Sequence, residues 1–340
     1  MPRKIDVPAL VDGVLAADRA SMARAITLVE SKAPAHRPMA RQLLTQLMPH
    51  TGNSIRLGLS GVPGAGKSTF TNAMGCRLIE RGHRVAVLAV DPSSTVTGGS
   101  VLGDRTRMAE LTALEESFVR PSPSGNHLGG VARATREAML VVEAAGYDVV
   151  IVETVGVGQS EVAVSGMVDT FLLLMLARSG DQLQGIKKGI LELADVIAVN
   201  KADGDNAGEA RVAARELAIA MKLVSKSTTE EGGRIPPVMT CSSVTGDGLD
   251  DVWQAVLNHR QWLDEHVGLA RHRADQQLGW MWAQAEAALM DSLKRDPQMR
   301  TLSRELSAQI EDGRTSALEA SEQLLHQFAQ LVPSFDWSTN

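Results

Sequence analysis

Residues 58–70 contain the pattern that most constrains how this chain can fold. They read GLSGVPGAGKSTF, in which Gly61, Gly66, Lys67 and Ser68 match GxxxxGK[ST]. The segment follows the apolar run IRLGL and opens an amphipathic stretch. Without Cβ atoms the backbone can close around phosphate oxygens, and a helix starting there adds the positive end of its dipole. The pattern therefore predicts a strand, loop and helix that bind a nucleoside triphosphate. The alternative is a glycine-rich turn that only packs a helix closely against a sheet.

The same segment predicts how the phosphates are bound. Lys67 is expected to reach the β- and γ-phosphates, the Ser68 hydroxyl to ligate Mg²⁺, and Thr69 to donate to the α-phosphate. Lys67 is also the first candidate catalytic residue. The predicted phosphate-binding residues are Gly61, Val62, Pro63, Gly64, Ala65, Gly66, Lys67, Ser68 and Thr69.

Apolar runs alternate with helical segments over residues 55–258, which predicts an α/β fold. Six runs resemble strands: IRLGLSG, VAVLAVD, YDVVIVET, TFLLLML, DVIAVNKAD and PPVMTCSS. This alternation is typical of a P-loop NTPase with a mostly parallel sheet flanked by helices. The flanking sequence has helical spacing and few glycines. We predict a helical N-terminal extension over 1–52, a P-loop domain over 53–260 and a helical C-terminal arm over 261–340.

Composition argues against several other classes of protein. The 340 residues carry a formal net charge of −6, only 3% aromatic residues and scattered basic residues, so we expect no nucleic-acid partner. Cys76 and Cys241 lie far apart and form no CxxC pair, which suggests neither a disulfide framework nor a zinc site. No apolar run is long enough to span a bilayer, and the N-terminus lacks an apolar signal segment. We expect a cytoplasmic protein with no membrane partner.

A second motif indicates which base is bound. The run DVIAVNKAD ends with Asn200, Lys201 and Asp203, the NKxD pattern by which P-loop GTPases recognise guanine. The Asp203 carboxylate can accept from guanine N1–H and the 2-amino group together, whereas adenine has no proton on N1 to share. Asn200 is expected to contact the other edge of the base, and the methylene stem of Lys201 can lie along the face of the base. The run MTCSSVTGDG offers a backbone N–H to guanine O6 from Ser242, Ser243 or Val244. GTP or GDP is the predicted ligand; an ordinary strand exit is the alternative.

Acidic residues provide candidates for metal binding and catalysis. Asp91 and Glu153 each end a predicted strand, and Asp104 lies in the polar loop that follows Asp91. Because the carboxyl ends of parallel strands meet at one edge of a sheet, we expect these acids near Mg²⁺ and its waters. The extra methylene of Glu153, compared with the usual aspartate, favours contact through a metal-bound water. The predicted metal residues are Ser68, Asp91, Asp104 and Glu153. Asp91 and Glu153 could instead be solvated strand exits, and Asp104 a helix cap.

Two further positions bear on the rate of hydrolysis. Val157 follows Gly156 where Ras-like proteins place a water-orienting glutamine, so intrinsic hydrolysis is expected to be slow. The loop ARSGDQLQGIKKGILE carries Lys188, which we include as a minor catalytic candidate beside the nucleotide. The alternative, which is the commoner one for such a lysine, is that it lies on a solvent-exposed face of a helix. Slow turnover leaves room for a partner that orders the loops or supplies a missing group.

Four segments together resemble the MeaB/MMAA family, also called ArgK-like, of P-loop GTPases that attend methylmalonyl-CoA mutase. They are GVPGAGKST, AVDPSSTVTGGSVLGDRTRM, VIVETVGVGQSE and LADVIAVNKADGDN. The glutamate in ETVG is the pattern of this group, and ARSGDQLQGIKKG resembles its additional switch loop. The resemblance implies a GTPase that gates delivery of adenosylcobalamin to the mutase and protects or reactivates that enzyme. It also implies that the C-terminal arm forms a homodimer.

Two other functions share a P-loop. A metallochaperone GTPase that delivers nickel or zinc usually carries a histidine-rich tract or a Cys/His cluster, whereas the eight histidines here are dispersed. A small-molecule kinase of the arginine type would also use a P-loop, but the NKAD motif speaks against an ATP-using enzyme.

Overall fold

The computed structural model describes residues 5–31, 33–90, 108–122, 128–154, 160–177, 188–224 and 234–331. These residues form 13 α-helices and seven strands. The strands are β1 (Ile55–Gly61), β2 (Val85–Val90), β3 (Ser117–Ser122), β4 (Val149–Thr154), β5 (Thr170–Leu176), β6 (Val196–Asn200) and β7 (Val238–Thr240). The helices are α1 (Val7–Leu15), α2 (Arg19–Val29), α3 (Arg37–Leu47), α4 (Lys67–Glu80), α5 (Ala109–Ala113), α6 (Leu128–Ala144), α7 (Ser160–Ser165), α8 (Lys188–Glu192), α9 (Asn206–Val224), α10 (Leu249–His266), α11 (Leu269–Arg295), α12 (Pro297–Glu311) and α13 (Ala317–Leu331).

The seven strands form one sheet in the order β3-β2-β4-β1-β5-β6-β7, and every pairing is parallel. Parallel neighbours need a crossover connection, usually a helix, which explains the alternation of apolar runs and helical segments. All residues of β2 and β4 are buried, so these strands show no polar alternation. The predicted α/β fold, a parallel sheet flanked by helices, is confirmed. Its strands all end at the same edge, which is where ligands bind in α/β proteins.

The sequence analysis missed the edge strand β3, whose sequence is SFVRPS. Among the described strands it is the last in the sheet order and pairs with β2, with Pro121 opposite Ala89. Proline has no N–H to give to a sheet, so it is confined to edges and ends of strands. Arg120 breaks the apolar run because it faces α2, where its Nη2 lies 2.6 Å from Glu30 Oε2. A proline and an arginine in six residues therefore concealed this strand.

The chain divides into two compact units, Met1–Gln276 and Gln277–Asn340. In the first unit, Val14, Met22 and Ile26 of the N-terminal helices belong to the same buried core as the sheet. Asp18 caps α2, because its carboxylate accepts from Ser21 N at 2.8 Å. The predicted division of the chain at residues 52 and 260 stays a prediction.

The second unit contains the later part of α11 together with α12 and α13. Asp296 caps α12 by accepting from Gln298 N at 2.8 Å and Met299 N at 3.0 Å. Ser316 caps α13 by accepting from Glu319 N at 3.1 Å, at the spacing of a capping box. These caps fix where the helices begin, and both predicted terminal extensions are helical. Across the described ranges, no helix combines the length and the apolar character that crossing a membrane requires.

A network of buried charged side chains lies at the amino ends of the strands. Arg56 donates to both carboxylate oxygens of Glu143, at 2.7 and 2.9 Å. Burial alone would raise the pKa of Glu143, but Arg56 and the hydrogen bonds of Ser54 and Gly52 hold that pKa below its usual value. Asp169 accepts from Arg56 N at 3.0 Å and from Arg273 Nε at 2.8 Å. The network thereby attaches the first turns of α11 to the sheet.

Candidate functional site

The predicted phosphate-binding loop lies at the carboxyl edge, where β1 passes into α4. Gly61 lies opposite Leu174 of the neighbouring strand β5. A Cβ atom at Gly61 would lie 2.4 Å from the Leu174 carbonyl oxygen, so only glycine fits there. In the loop that follows, Val62 and Ala65 are buried whereas Pro63 and Gly64 are exposed. The loop is thus anchored on the core side and open to solvent on the other.

Gly66 ends the loop with φ at +85°, in the left-handed region that favours glycine. A Cβ at Gly66 would lie 2.9 Å from Asn200 Nδ2. Asn200 is buried, and its Nδ2 donates to Ala65 O at 2.8 Å. Its Oδ1 accepts from Ser243 N at 3.1 Å and from Ser243 Oγ at 2.9 Å. One amide therefore joins the phosphate-binding loop, the NKxD motif and residues 242–244, the SSV segment.

Lys67 is the first residue of α4, and its ammonium is held inside the loop. Its Nζ donates to Gly61 O at 2.8 Å and lies 3.4 Å from Val62 O. Burial lowers the pKa of Lys67, while the carboxylates of Glu153 and Glu161 act against that shift. A buried ammonium next to successive backbone N–H groups is an arrangement that suits an anion.

Glu153 comes from the end of β4 and meets α4 beside the loop. Its Oε1 accepts from Ser68 Oγ at 2.9 Å, and its Oε2 accepts from Thr71 Oγ1 at 2.8 Å. A hydroxyl and a carboxylate are oxygen ligands of the kind that Mg²⁺ prefers, so Ser68 and Glu153 fit this ion. Within the described part of the chain, no group of three or more His, Cys, Asp or Glu could hold a metal.

Three of the predicted site residues, Asp91, Asp104 and the side chain of Lys188, lie outside the described part of the structure. Gly156 and Val157 lie outside the described residues as well. Lys188 itself begins α8. The predicted roles of these residues stay predictions.

The predicted base-binding residues lie together beside the loop. Asp203 Oδ1 accepts from Ser242 Oγ at 2.7 Å, so the carboxylate is oriented from one side. Ser242 Oγ in turn lies 3.3 Å from Val244 N. The three N–H groups predicted to contact guanine O6 already donate in this structure: Ser242 N to Asp247 O, Ser243 N to Asn200 Oδ1, and Val244 N to Ser242 Oγ. Lys201 is exposed and has φ at +60°, a conformation that costs a non-glycine residue about 1 kcal/mol and that clusters at functional sites.

The comparison with known proteins assigns the family. Residues 22–298 match the family described as Methylmalonyl Co-A mutase-associated GTPase MeaB. The chain belongs to this family. A probable GTPase of Mycobacterium tuberculosis is 54% identical over 319 residues, which cover 94% of each chain. The mouse protein named Methylmalonic aciduria type A homolog, mitochondrial, is 41% identical over 332 residues, covering 95% of this chain and 79% of that protein.

A solved structure supports the fold. The crystal structure of an LAO/AO transport system kinase has a TM-score of 0.76 and 37% identity, and the match covers 96% of this chain and 100% of that one. The resemblance to the MeaB family and the P-loop fold class predicted from the sequence are therefore both confirmed.

Two contacts in the site of this MeaB-family chain escaped the sequence analysis. Thr71 is fully buried and donates to Glu153, although no motif includes it. Its spacing of three from Ser68 places both hydroxyls on one face of α4, a signal that could have suggested a shared partner. Cys241 lies with its Sγ 3.6 Å from Asn200 Oδ1. Burial raises the pKa of Cys241 to about 12, so the thiol stays neutral.

Two alanine substitutions test the packing of Asn200 against the loop. Gly64 and Gly66 have nearly the same φ, +80° and +85°, so alanine meets similar backbone strain at both. Only at Gly66 does the new Cβ also meet Asn200, because nothing lies within 4 Å of a Cβ at Gly64. We expect Gly66→Ala to lower the free energy of unfolding by about 1–2 kcal/mol more than Gly64→Ala. Urea unfolding of the nucleotide-free protein measures this difference, and equal losses would contradict it.

Proposed function

We propose that this protein binds GTP and GDP, hydrolyses GTP with Mg²⁺, and acts as a chaperone of methylmalonyl-CoA mutase. The observation that carries the nucleotide part is the double role of Asn200. Its amide supports both the phosphate-binding loop at Ala65 and the SSV segment at Ser243. A ligand that spans this junction would present phosphates to one side and a base to the other, as a guanine nucleotide does.

The side chains of the loop provide specific contacts for such a ligand. Lys67 would exchange its bonds to Gly61 O and Val62 O for β- and γ-phosphate oxygens, a charge-assisted and stronger pairing. Ser68 and Glu153 would hold Mg²⁺, which when bound neutralises charge on the phosphates. Thr71 keeps the Glu153 carboxylate oriented while the Ser68 hydroxyl turns to a new partner. Roles for Asp91, Asp104 and Lys188 in metal binding or hydrolysis remain part of this proposal.

Guanine selectivity would depend on Asp203. Its carboxylate accepts from Ser242 and would also accept from guanine N1–H and the 2-amino group. In Asp203→Asn, the side-chain amide donates to the 2-oxo group of xanthine and loses its pairing with the 2-amino group of guanine. We expect GDP to bind about 100-fold more weakly and xanthosine diphosphate more tightly.

Isothermal titration calorimetry with GDP and with xanthosine diphosphate measures this change in nucleotide preference. Asp205→Asn, an exposed aspartate two residues later, is the matched control and is expected to keep the preference for GDP. An unchanged preference in Asp203→Asn would contradict guanine recognition by this motif.

The mutase is the proposed partner because the family is described as associated with it. In this proposal the intrinsic turnover is slow, since valine stands at position 157 where a water-orienting glutamine would help. Hydrolysis then becomes a signal that releases the loops near the γ-phosphate and gates delivery of adenosylcobalamin. By linkage, the nucleotide state must change mutase affinity as much as the mutase changes nucleotide affinity.

Phosphate release tests the partner. We expect slow, GTP-selective turnover that purified methylmalonyl-CoA mutase accelerates severalfold, with ATP as the control substrate. A preference for binding ATP over GTP would favour a small-molecule kinase, and tight nickel or zinc binding by the isolated protein would favour a metal-delivery GTPase. GTP turnover unaffected by the mutase, together with equal mutase affinity for the GTP and GDP forms, would contradict the chaperone role.

Homodimer formation through the C-terminal arm is part of the same proposal. Helix α11 exposes apolar side chains along one side, with Leu278 55%, Trp282 65% and Leu289 41% exposed. Trp282 and Leu289 follow Leu278 by four and eleven residues, a spacing that places all three on one stripe of the helix, which a second copy could cover.

The free cysteines Cys76 and Cys241 are consistent with the cytoplasmic location that we propose.

Two glutamate substitutions test this stripe. Trp282→Glu places a charge within it and should convert the dimer to monomer in analytical ultracentrifugation. Ala283→Glu adds the same charge at an exposed position about 100° around the helix and should leave the dimer intact. A wild-type protein that sediments as a monomer, or a dimer unaffected by Trp282→Glu, would contradict the arrangement.

A further inference from the structure

Arg77 links the far end of the P-loop helix to the loop that follows β7. It lies in the last turn of α4, and its Nη1 donates to Gly246 O at 2.8 Å. Gly246 has φ at +84°, and a Cβ there would lie 3.5 Å from Arg77 Nη2, so the guanidinium packs against bare backbone. The same Nη1 lies 3.6 Å from Asp250 Oδ1 in the first turn of α10. No motif in the sequence includes this arginine.

The loop that Arg77 contacts, residues 242–248, holds part of the proposed guanine site. Ser242 N donates to Asp247 O at 2.9 Å, and Gly246 N donates to Ser242 O at 3.0 Å, which closes the loop on itself. Its inner side reaches the base-binding residues, through Ser242 Oγ to Asp203 and through Ser243 N to Asn200. Displacement of the loop would therefore move the hydrogen-bond partners of Asp203 and Asn200.

Arg77 bonds to the outer side of this loop at Gly246 O. Gly246 O also accepts from Leu249 N, but at the longer distance of 3.4 Å. A bond from a guanidinium to a carbonyl is charge-assisted and stronger than one between neutral groups. Helix α4 runs unbroken from Lys67 to Glu80, so Lys67 and Arg77 lie about 15 Å apart on one rigid element. The helix thus holds the phosphate end and the base end of the site at a fixed separation.

We propose that Arg77 is a positioning residue for guanine recognition, which holds the 242–248 loop in register with the P-loop through Gly246 O. The inference rests on the proposed guanine nucleotide site. It assigns Arg77 no contact with the nucleotide; it acts through Ser242 on Asp203 and through Ser243 on Asn200. A purely structural role would instead change stability without changing selectivity.

The test compares binding of GDP and inosine diphosphate, which lacks the 2-amino group that Asp203 would bind. Arg77→Met keeps an unbranched apolar stem but removes the guanidinium and its donors, and Arg77→Lys keeps one charged donor group. We expect Arg77→Met to weaken GDP binding about tenfold and to reduce the ratio of GDP to inosine diphosphate affinity severalfold. Arg77→Lys should restore part of that ratio.

Arg81→Met is the matched control. Arg81 lies one turn further along, and its Nη2 contacts Asp250 Oδ1 at 2.5 Å on the exposed surface without an observed bond to the loop. It should leave the ratio at the wild-type value. Melting temperatures of all variants separate loss of stability from loss of selectivity.

The outcomes are distinguishable. A wild-type protein that fails to bind GDP, or that does not prefer it to inosine diphosphate, overturns the proposed guanine site and this inference with it. Wild-type selectivity with an unchanged ratio in Arg77→Met overturns the positioning role alone, whatever the melting temperature. If Arg77→Met does not fold, Arg77→Gln, which is shorter and carries no charge, decides the question, because the wild-type ratio in that variant overturns the role and a reduced ratio supports it.

Discussion

The buried amide of Asn200 is the interaction on which the rest of the carboxyl edge depends. It donates to Ala65 O and accepts from Ser243, so both ends of the amide are satisfied inside the protein. Leaving either end without a partner would cost about 1–3 kcal/mol. The amide can approach because Gly66 has no side chain, and Gly66 can take its left-handed conformation for the same reason. The glycine of the P-loop therefore serves protein packing as well as the approach of phosphate.

Charged side chains have different kinds of partner at the amino ends of the strands, here called the amino edge, and at the carboxyl edge. At the amino edge, Arg56, Glu143, Asp169 and Arg273 form paired, buried contacts that fix secondary structure elements to one another. At the carboxyl edge, Lys67 is bonded to neutral backbone carbonyls, which a phosphate could replace with a gain in bond strength. A buried ion pair is costly to break, whereas a lysine held by carbonyls can change partners. The charged contacts that stabilise the fold and the proposed phosphate site thus lie at opposite ends of the strands.

The sequence and the structure agree where local pattern decides the outcome. The apolar runs of β1, β2, β4, β5 and β6 were recognised because strands buried on both faces carry almost no polar residues. Edge strand β3 was missed because an edge position tolerates Pro121 and exposes Arg120 to a helix. Thr71 was missed for another reason: threonine on a helix is ordinary, and only the strand order that brings β4 next to β1 gives it Glu153 as a partner.

What the sequence by itself determined was local: the position of the P-loop, the NKxD motif, and a parallel sheet between helices. These features follow from the spacing of residues within short segments and from hydrophobic periodicity. Both are properties of the local sequence and do not depend on tertiary contacts. Only the tertiary structure decided which distant groups meet. Thr71 and Glu153 are 82 residues apart in sequence, and Arg77 and Gly246 are 169 apart. Such contacts depend on strand order and on the direction in which each helix crosses the sheet, and no short stretch of sequence specifies either.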